Sequence, residues 1–302
     1  MSKFSEETLK NWSSAASTSE EQRISNAIKM VKDAIKFSGD LQYKDIEVFV
    51  QGSYANNTNV RANSDIDVCI MLKDVFFSEY PDGLTRGDYG FSVSDYRFST
   101  YRSSVIKALS SKFGNENIVL GNKSIKIKSN SYRIEADAVP CLQYRNYDYQ
   151  NSRNPDDFIE GHKIDAQNGE EVISYPKQHI ENGKEKNTET QRRFKRTVRV
   201  FKKIRYHMID NGEPVNSNIS SFLIECLLWN VPNNIFIENN THENRVKESI
   251  RYLYFKTKDQ KKECKQWGEV SEILYLFNDK KWDIVMVNKF LQRMWEYLEF
   301  RD

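Results

Sequence analysis

Residues 51–68 read QGSYANNTNVRANSDIDV and hold most of the recognisable chemistry of the 302-residue chain. Asp65 and Asp67 are two apart on a predicted strand, so their side chains leave the same face. Two carboxylates that close repel each other unless a cation lies between them, and carboxylate oxygens suit Mg²⁺. Upstream, Gly52 lets the backbone approach a phosphate, and Ser53 offers N–H and O–H donors. The stretch therefore predicts a site for a metal ion and a phosphate group.

A third carboxylate is needed to complete a two-metal site, and Asp137 is the best candidate. It stands in the largely apolar stretch from Ile134 to Val139, on a predicted strand that could lie beside the first pair. An isolated D-x-D is a weak signal, because most such pairs belong to turns or surfaces. A Gly-Ser turn, a D-h-D-h strand after eleven intervening residues and a distant h-x-D-x-V-P strand are together far more specific.

Around these residues the apolar pattern predicts strands mixed with helices, and then helices alone. A β-branched and aromatic run, IEVFVQ, predicts a strand over 46–51, and period-two alternation predicts a hairpin from 124–128 and 132–139. Residues 141–187 show little periodicity and are interpreted as a long loop with small strands, or as a linker. This order favours an α+β domain over 1–185, including an N-terminal helix, followed by an α-helical domain over 186–302. The helices are predicted at 19–38, 96–113, 191–208, 217–230, 243–255 and 281–300.

Composition excludes several classes of protein. Hydrophobic residues make up 38% of the chain and aromatic residues 13%, enough for a sizeable core. No apolar run approaches the ~18–20 residues of a membrane span, and the N-terminus lacks the apolar core of a secretory signal. We therefore expect a soluble cytoplasmic protein that does not use a membrane. A net charge of +2 argues against a chain that wraps a long nucleic-acid duplex.

The cysteines and histidines show no metal-binding spacing along the chain. No two cysteines form a C-x-x-C pair, and no histidine stands at zinc-ligand spacing from them. Buried free thiols in a reducing compartment are expected, rather than a disulfide framework or a zinc element. The residues concerned are Cys69, Cys141, Cys226 and Cys264, and His162, His179, His207 and His242.

A basic segment precedes the last third of the chain. Between Lys186 and Arg205 there are nine basic residues and one acidic residue. Four of them follow i, i+3 and i+4 steps on one predicted helix face, which indicates a stripe that contacts phosphates; a solvated helix face is the alternative. Phe194, Val198 and Phe201 are predicted to form its apolar face. The four stripe residues are Arg192, Lys195, Arg199 and Lys202.

These motifs resemble the DNA polymerase β-type nucleotidyltransferase superfamily. The longer string G-S-Y-x3-T-x2-R-x2-S-D-I-D-V is similar to the cyclic-oligonucleotide synthases related to cyclic GMP-AMP synthase, the CD-NTases of bacterial antiphage systems. Thr58 and Arg61 stand where many of those enzymes have Thr and Arg, and D-A-V-P at Asp137–Pro140 matches their third-aspartate strand. The resemblance spans roughly residues 20–230 and includes His179–Arg192, Val198–Lys202 and Ser221–Glu225.

The resemblance implies a polymerase β-like domain and a helical domain with the active site in the cleft between them. It implies that two Mg²⁺ ions, or Mn²⁺ in their place, are held by a carboxylate triad. It also assigns the donor triphosphate to Lys202, with Lys203 as the alternative, and to Ser221. The implied metal ligands are Asp65, Asp67 and Asp137, and Gly52 and Ser53 complete the implied nucleotide site.

The implied activity is template-independent synthesis of a cyclic di- or trinucleotide from nucleoside triphosphates. The product would act as a second messenger on a downstream effector during phage defence. A nucleic-acid activator is not expected, and the enzyme is expected to act as a monomer. Two alternatives stay open: a nucleotidyltransferase acting on RNA or a small acceptor, of the poly(A), tRNA-end or aminoglycoside type, and a non-catalytic nucleotide or RNA sensor. The bases used, the 2′ or 3′ linkage and the ring size cannot be predicted from these motifs.

Overall fold

The computed structural model describes residues 3–15, 18–60, 65–258, 262–277 and 282–301. The chain divides into two compact units, named here the sheet unit and the helical unit. The domain limits expected from the sequence, 1–185 and 186–302, stay a prediction; the compact units differ from them because the N-terminal residues group with the helical unit. The sheet unit comprises Ser17–Ala55 and Arg61–Lys177, and the helical unit comprises Met1–Ala16, Asn56–Val60 and Gln178–Asp302.

One mixed sheet of seven strands is formed by the described residues of the sheet unit. Its strands follow the order β1-β2-β5-β4-β3, and β6 and β7 extend from a second part of β5. The pair β2–β5 is parallel, and the other pairs are antiparallel. The strands are β1 (Ile46–Gln51), β2 (Ile66–Glu79), β3 (Ile118–Leu120), β4 (Ile125–Ile127), β5 (Ala136–Asn146), β6 (Ile159–Asp165) and β7 (Glu171–Ser174).

Strand β5 changes its neighbour halfway along. Its first residues pair with β4, and those from Leu142 onward pair with β6. Pro140 lies between the two ladders, where its missing N–H costs no hydrogen bond on that edge. The predicted hairpin is confirmed. Within 141–187 the expected small strands are present as β6 and β7, but the stretch is not a linker, because β5 continues into it as far as Asn146. Beyond Pro140 most residues of β5 are buried on both faces, so the sequence there lacks the alternation that would extend the predicted strand.

Two helices cover one face of the sheet. The helices α2 (Thr18–Lys36) and α4 (Phe98–Phe113), both predicted from the sequence, pack against each other and against the strands. Alternate residues of β2 face these helices and are fully buried. The residues between those positions face the opposite side of the sheet. The short helix α3 (Gly52–Ala55) follows β1 directly. On the face toward the helices the buried residues of β2 are Ile66, Val68, Ile70 and Leu72.

The helical unit is built around one central helix. The helix α6 (Arg193–Asp210) packs against α1, α7, α8, α9 and α11, and buries Phe194, Val198 and Phe201 as predicted. No helix among the described residues is long and apolar enough to cross a membrane. Besides α6, the helices are α1 (Glu6–Trp12), α5 (Pro176–Glu189), α7 (Ser221–Trp229), α8 (Asn233–Glu238), α9 (His242–Thr257), α10 (Lys262–Lys265) and α11 (Ile284–Tyr297).

The basic stripe of α6 is turned into the helical unit. Lys195, Arg199 and Lys202 are buried, and Arg192 is exposed at the start of the helix. The Arg199 guanidinium donates to the carbonyl of Ser13 at 2.6 Å and to that of Asn57. The prediction of a stripe open to phosphates is therefore wrong for Arg199, since backbone oxygens occupy its guanidinium.

Lys202 takes part in a buried network of hydrogen bonds. Its ammonium donates to Thr58 Oγ1 and Glu225 Oε2, both at 2.9 Å, and to the Thr58 carbonyl at 3.3 Å. His179 Nε2 lies 3.2 Å from the other oxygen of Glu225. Burial alone would raise the pKa of Glu225, but Lys202 and His179 outweigh it and hold that pKa well below its usual range.

This network gives Lys202 interior partners, and its expected contact with a triphosphate stays a prediction. The Lys202 side chain is 2% exposed. An ammonium has three donors, and here the three find oxygen partners inside the helical unit. Lys202 therefore acts as an interior ion-pair partner in this structure.

Replacing Lys202 with Met should destabilise the fold. The change leaves the Glu225 carboxylate buried without its ammonium partner, and we expect the free energy of unfolding to fall by about 3–5 kcal/mol. Urea unfolding followed by circular dichroism measures it. Lys203→Met, one step along the same helix at a half-buried position, is the matched control and should stay within ~0.5 kcal/mol of the wild type. An unchanged unfolding curve for Lys202→Met would contradict the interior role.

Candidate active site

Four polar side chains form one row across the sheet. Asp67 pairs in register with Gln51 on one side and with Asp137 on the other, and Asp137 pairs with Lys126. Residues in register on neighbouring strands point to the same face and lie about 5 Å apart. Asp65 stands immediately before β2, beside this row. The parallel pairing of β2 with β5 thus brings Asp137 beside Asp65 and Asp67, which lie 70 residues or more before it in the sequence.

The surroundings of Asp67 and Asp137 destabilise the charged form of their carboxylates. Burial, together with the charges of Asp137 and Asp65, raises the pKa of Asp67 to about 6. Burial also raises the pKa of Asp137, partly offset by Lys126. The Oδ1 atom of Asp137 is buried and has no hydrogen-bond partner among the residues that the structure describes. Carboxylates in this state fit a divalent metal ion, because its charge compensates theirs and its coordination uses the unpartnered oxygen.

Lys126 is a site residue that the sequence analysis missed. Its ammonium lies 2.8 Å from Glu135 Oε1 and 3.0 Å from Asp65 Oδ2, and these hydrogen bonds raise the pKa of Lys126 above its usual value. The alternating pattern S-I-K-I-K predicts its strand, but only the pairing of β4 with β5 shows that it stands beside Asp137. Lys126 supplies part of the positive charge that the carboxylates need.

Gly52 is required by its contact with Asp67. Its φ is +71°, a backbone conformation that residues with a side chain rarely adopt, and a Cβ at this position would lie 2.3 Å from Asp67 Oδ2. Ser53 follows in the first turn of α3 and is half-buried. The neighbouring Tyr54 hydroxyl donates to Glu20 at 2.6 Å, which agrees with a packing role for that ring. The turn between β1 and α3 therefore leaves room for the Asp67 carboxylate.

The predicted nucleotide-binding residues of the helical unit have other partners. The Lys202 ammonium is bonded to Thr58 and Glu225, whereas the Ser221 hydroxyl lies 3.3 Å from that of Tyr206. The hydroxyl that caps α7 belongs to Ser220. The structure thus brings the three aspartates and Gly52 together. Lys202 and Ser221 instead contact other residues of the helical unit. Arg61, which the resemblance also singled out, lies outside the described residues.

Comparisons with known proteins agree with both units. The family model of the nucleotidyltransferase domain matches residues 28–141. The model of the cGAS/DncV-like nucleotidyltransferase C-terminal helical domain matches residues 181–299. The two matches account for the mixed α+β architecture followed by helices, so the predicted fold class is confirmed.

Curated relatives extend over the whole chain. The chain is 46% identical to a cyclic dipyrimidine nucleotide synthase of Cecembia lonarensis, over 99% of this chain and 100% of the relative. It is 36% identical to a protein of the same description from Legionella pneumophila, over 97% and 98%. A solved structure of the Rhodothermus marinus CdnE c-UMP-AMP synthase superposes with a TM-score of 0.83 at 30% identity, over 99% of each chain.

These relatives all make cyclic nucleotides, as their names state, and the matches extend over nearly the whole length of each of them. The open alternatives of an RNA or small-acceptor enzyme and of a non-catalytic sensor are not supported by any of them. The prediction of an enzyme that transfers nucleotides is confirmed. The chain belongs to the CD-NTase family of cyclic nucleotide synthases, within the polymerase β-like nucleotidyltransferase superfamily.

Proposed function

We propose that this enzyme joins two pyrimidine nucleoside triphosphates into a cyclic dinucleotide without a template. The observation that carries the base preference is the 46% identity, over 99% of the chain, to a cyclic dipyrimidine nucleotide synthase. The Legionella relative has the same description. Other relatives at 33–37% identity are described as cyclic GMP-AMP, dipurine and UMP-AMP synthases, so base choice varies within the family.

In this proposal Asp65, Asp67 and Asp137 hold two Mg²⁺ ions, with Mn²⁺ as a substitute. When bound, the metal supplies Lewis-acid stabilisation of the charge that develops on the transferring phosphate. The Asp137 carboxylate is also the candidate acceptor for the proton of the attacking hydroxyl.

The remaining site residues position the donor nucleotide. Gly52 keeps the space beside Asp67 open, and Ser53 donates its N–H and hydroxyl to a phosphate oxygen. Ser221 is proposed as a further donor to the triphosphate. Lys126 compensates part of the charge of Asp65 and Glu135 and so keeps Asp65 oriented. The contact of Lys202 with the triphosphate stays a prediction, and its ammonium is bonded to Glu225 in this structure.

The biological role follows from the product. We propose a second messenger that activates an effector in bacterial antiphage defence, with the enzyme working as a monomer in the cytoplasm, where nucleoside triphosphates are found. A nucleic-acid activator is not part of the proposal, because the net charge of +2 offers little general attraction to a duplex.

Product analysis tests the proposed substrate class. Purified enzyme is incubated with Mg²⁺ and all four nucleoside triphosphates, one of them labelled in each reaction, and the products are separated and identified by mass spectrometry. We expect label from UTP or CTP in a cyclic dinucleotide that resists phosphatase. A cyclic product labelled only from ATP and GTP would overturn the pyrimidine preference and leave cyclic nucleotide synthesis intact.

Asp67→Asn and Asp137→Asn should each abolish synthesis while leaving the fold intact. Losing one ligand removes several kcal/mol of charge stabilisation, so turnover should fall more than a hundredfold, about 2.7 kcal/mol or more. Asp137→Asn should keep most of its affinity for the donor nucleotide, as measured by equilibrium binding. Asp74→Asn, on the same strand but paired with Lys44, is the control and should keep near wild-type turnover. More than about a tenth of wild-type activity in Asp67→Asn, a loss of only ~1.4 kcal/mol, would show that the site is misassigned.

Gly52→Ala should impair synthesis through Asp67. The added Cβ would overlap Asp67 Oδ2 and must displace that carboxylate or the turn, so we expect turnover to fall at least about tenfold, ~1.4 kcal/mol. Gly39→Ala is the matched control, because a Cβ there would meet nothing within 4 Å. Steady-state kinetics on both variants measure the difference. Equal turnover of the two would remove Gly52 from the site.

A further inference from the structure

Two cysteines and one histidine meet in the interior of the sheet unit. Cys69 Sγ lies 2.8 Å from Cys141 Sγ and 3.5 Å from His162 Nδ1. Each of the three residues is at most 1% exposed. Among the described residues, they form the one group of three or more potential metal ligands whose ligand atoms all lie within 4.8 Å of one another. The group therefore has the composition of a metal site, with ligand atoms close enough to converge on one ion after a small separation of the two sulfur atoms.

Strand pairing in the sheet brings these three residues together, although they are far apart in the sequence. Cys69 and Cys141 are 72 residues apart in sequence, and Cys69 and His162 are 93 apart. The register of β2 with β5 and of β5 with β6 points all three side chains to one face of the sheet. The predicted free and buried state of the cysteines is confirmed, but their proximity to a histidine could not be predicted.

The imidazole of His162 is already oriented toward the sulfur atoms. Its Nε2 lies 2.6 Å from the hydroxyl of Ser174 on β7, so Nδ1 is the nitrogen that faces Cys69. A hydrogen bond to the second ring nitrogen is the usual device by which a metal-ligating histidine is held in place. Rigid strands supply all three potential ligands and the outer partner, which favours a pre-formed site.

We propose that Cys69, Cys141 and His162 bind one soft metal ion, of the monovalent copper class. Thiolate and thioether ligands select soft cations, and the thioether of Met71 belongs to the same buried cluster. Zn²⁺ prefers four ligands, or three and a water molecule, and this group lies in a dry part of the sheet. On binding, each thiol releases its proton to solvent and forms one sulfur–metal bond, with no change of oxidation state.

This site is chemically distinct from the candidate active site formed by Asp65, Asp67 and Asp137. Cys69 is two residues beyond Asp67 on β2 and shares its face of the sheet, yet soft sulfur and hard oxygen ligands select different cations. A metal bound here would join β2, β5 and β6. The proposal does not depend on which nucleotides the enzyme uses.

An anaerobic competition titration tests the proposal. Reduced full-length protein is incubated to equilibrium with Cu⁺ in the presence of a chromophoric Cu⁺ chelator, and the copper transferred to the protein is measured. We expect one tightly bound equivalent, and a loss of affinity of at least a hundredfold in Cys69→Ser and in Cys141→Ser. Ser174→Ala should weaken binding about 10–100-fold. Cys226→Ser, which changes a buried cysteine of the helical unit, is the matched control and should bind as the wild type does.

X-ray absorption of the copper-loaded wild type keeps the test valid if a serine variant fails to fold. Two sulfur ligands and one nitrogen ligand at bonding distance are expected. Loss of binding in Cys226→Ser, a coordination shell without sulfur, or no copper transferred to the wild type would overturn the site. If the protein binds Zn²⁺ tightly and added Cu⁺ does not displace it, the assignment to monovalent copper is overturned.

Discussion

The parallel pairing of β2 with β5 is the interaction on which the rest of the sheet unit depends. Its register sets Asp67 opposite Asp137, and the same register buries the apolar residues of β2 beneath α2 and α4. A slip of one residue would turn the carboxylates into the core and the apolar residues outward, so burial fixes the register strongly. One hydrophobic constraint thereby determines where the charges of the active site lie.

The three carboxylates proposed as metal ligands could be predicted from the sequence because they are encoded locally. The D-h-D-h alternation of Asp65 and Asp67 and the isolated acid at Asp137 are visible without any knowledge of the pairing. Lys126 was not predicted, since its position next to Asp137 depends on the β4–β5 ladder. Small strands were expected within 141–187, but the bounds of β6 and β7 and the full length of β5 were not predicted. Beyond Pro140 β5 shows no alternation, and polar residues dominate the stretch that follows.

Charge patterns were a poor guide to the helical unit. A run of basic residues on one helix face usually indicates a face that contacts solvent or a polyanion. Arg199 and Lys202 instead donate hydrogen bonds to oxygen atoms in the interior. Lys186 behaves in the same way, with its ammonium on the Val231 carbonyl and over the Trp229 ring, and burial lowers its pKa to about 8. Only tertiary contacts distinguish such cations from ligand-binding ones, because both kinds follow the same helical spacing.

The separation of β2 from β5 in the sequence also has a consequence for biosynthesis. Asp67 and Asp137 are partners across 70 residues. A ribosome working at ~5–20 residues per second takes roughly 4–14 s to translate that interval. During this time the apolar face of β2 and one of its edges stay exposed, because the parallel partner strand has not been made. Chaperones bind exposed apolar segments of this kind. The carboxylate row, and with it any capacity to hold a metal ion, arises only after the second strand has left the exit tunnel.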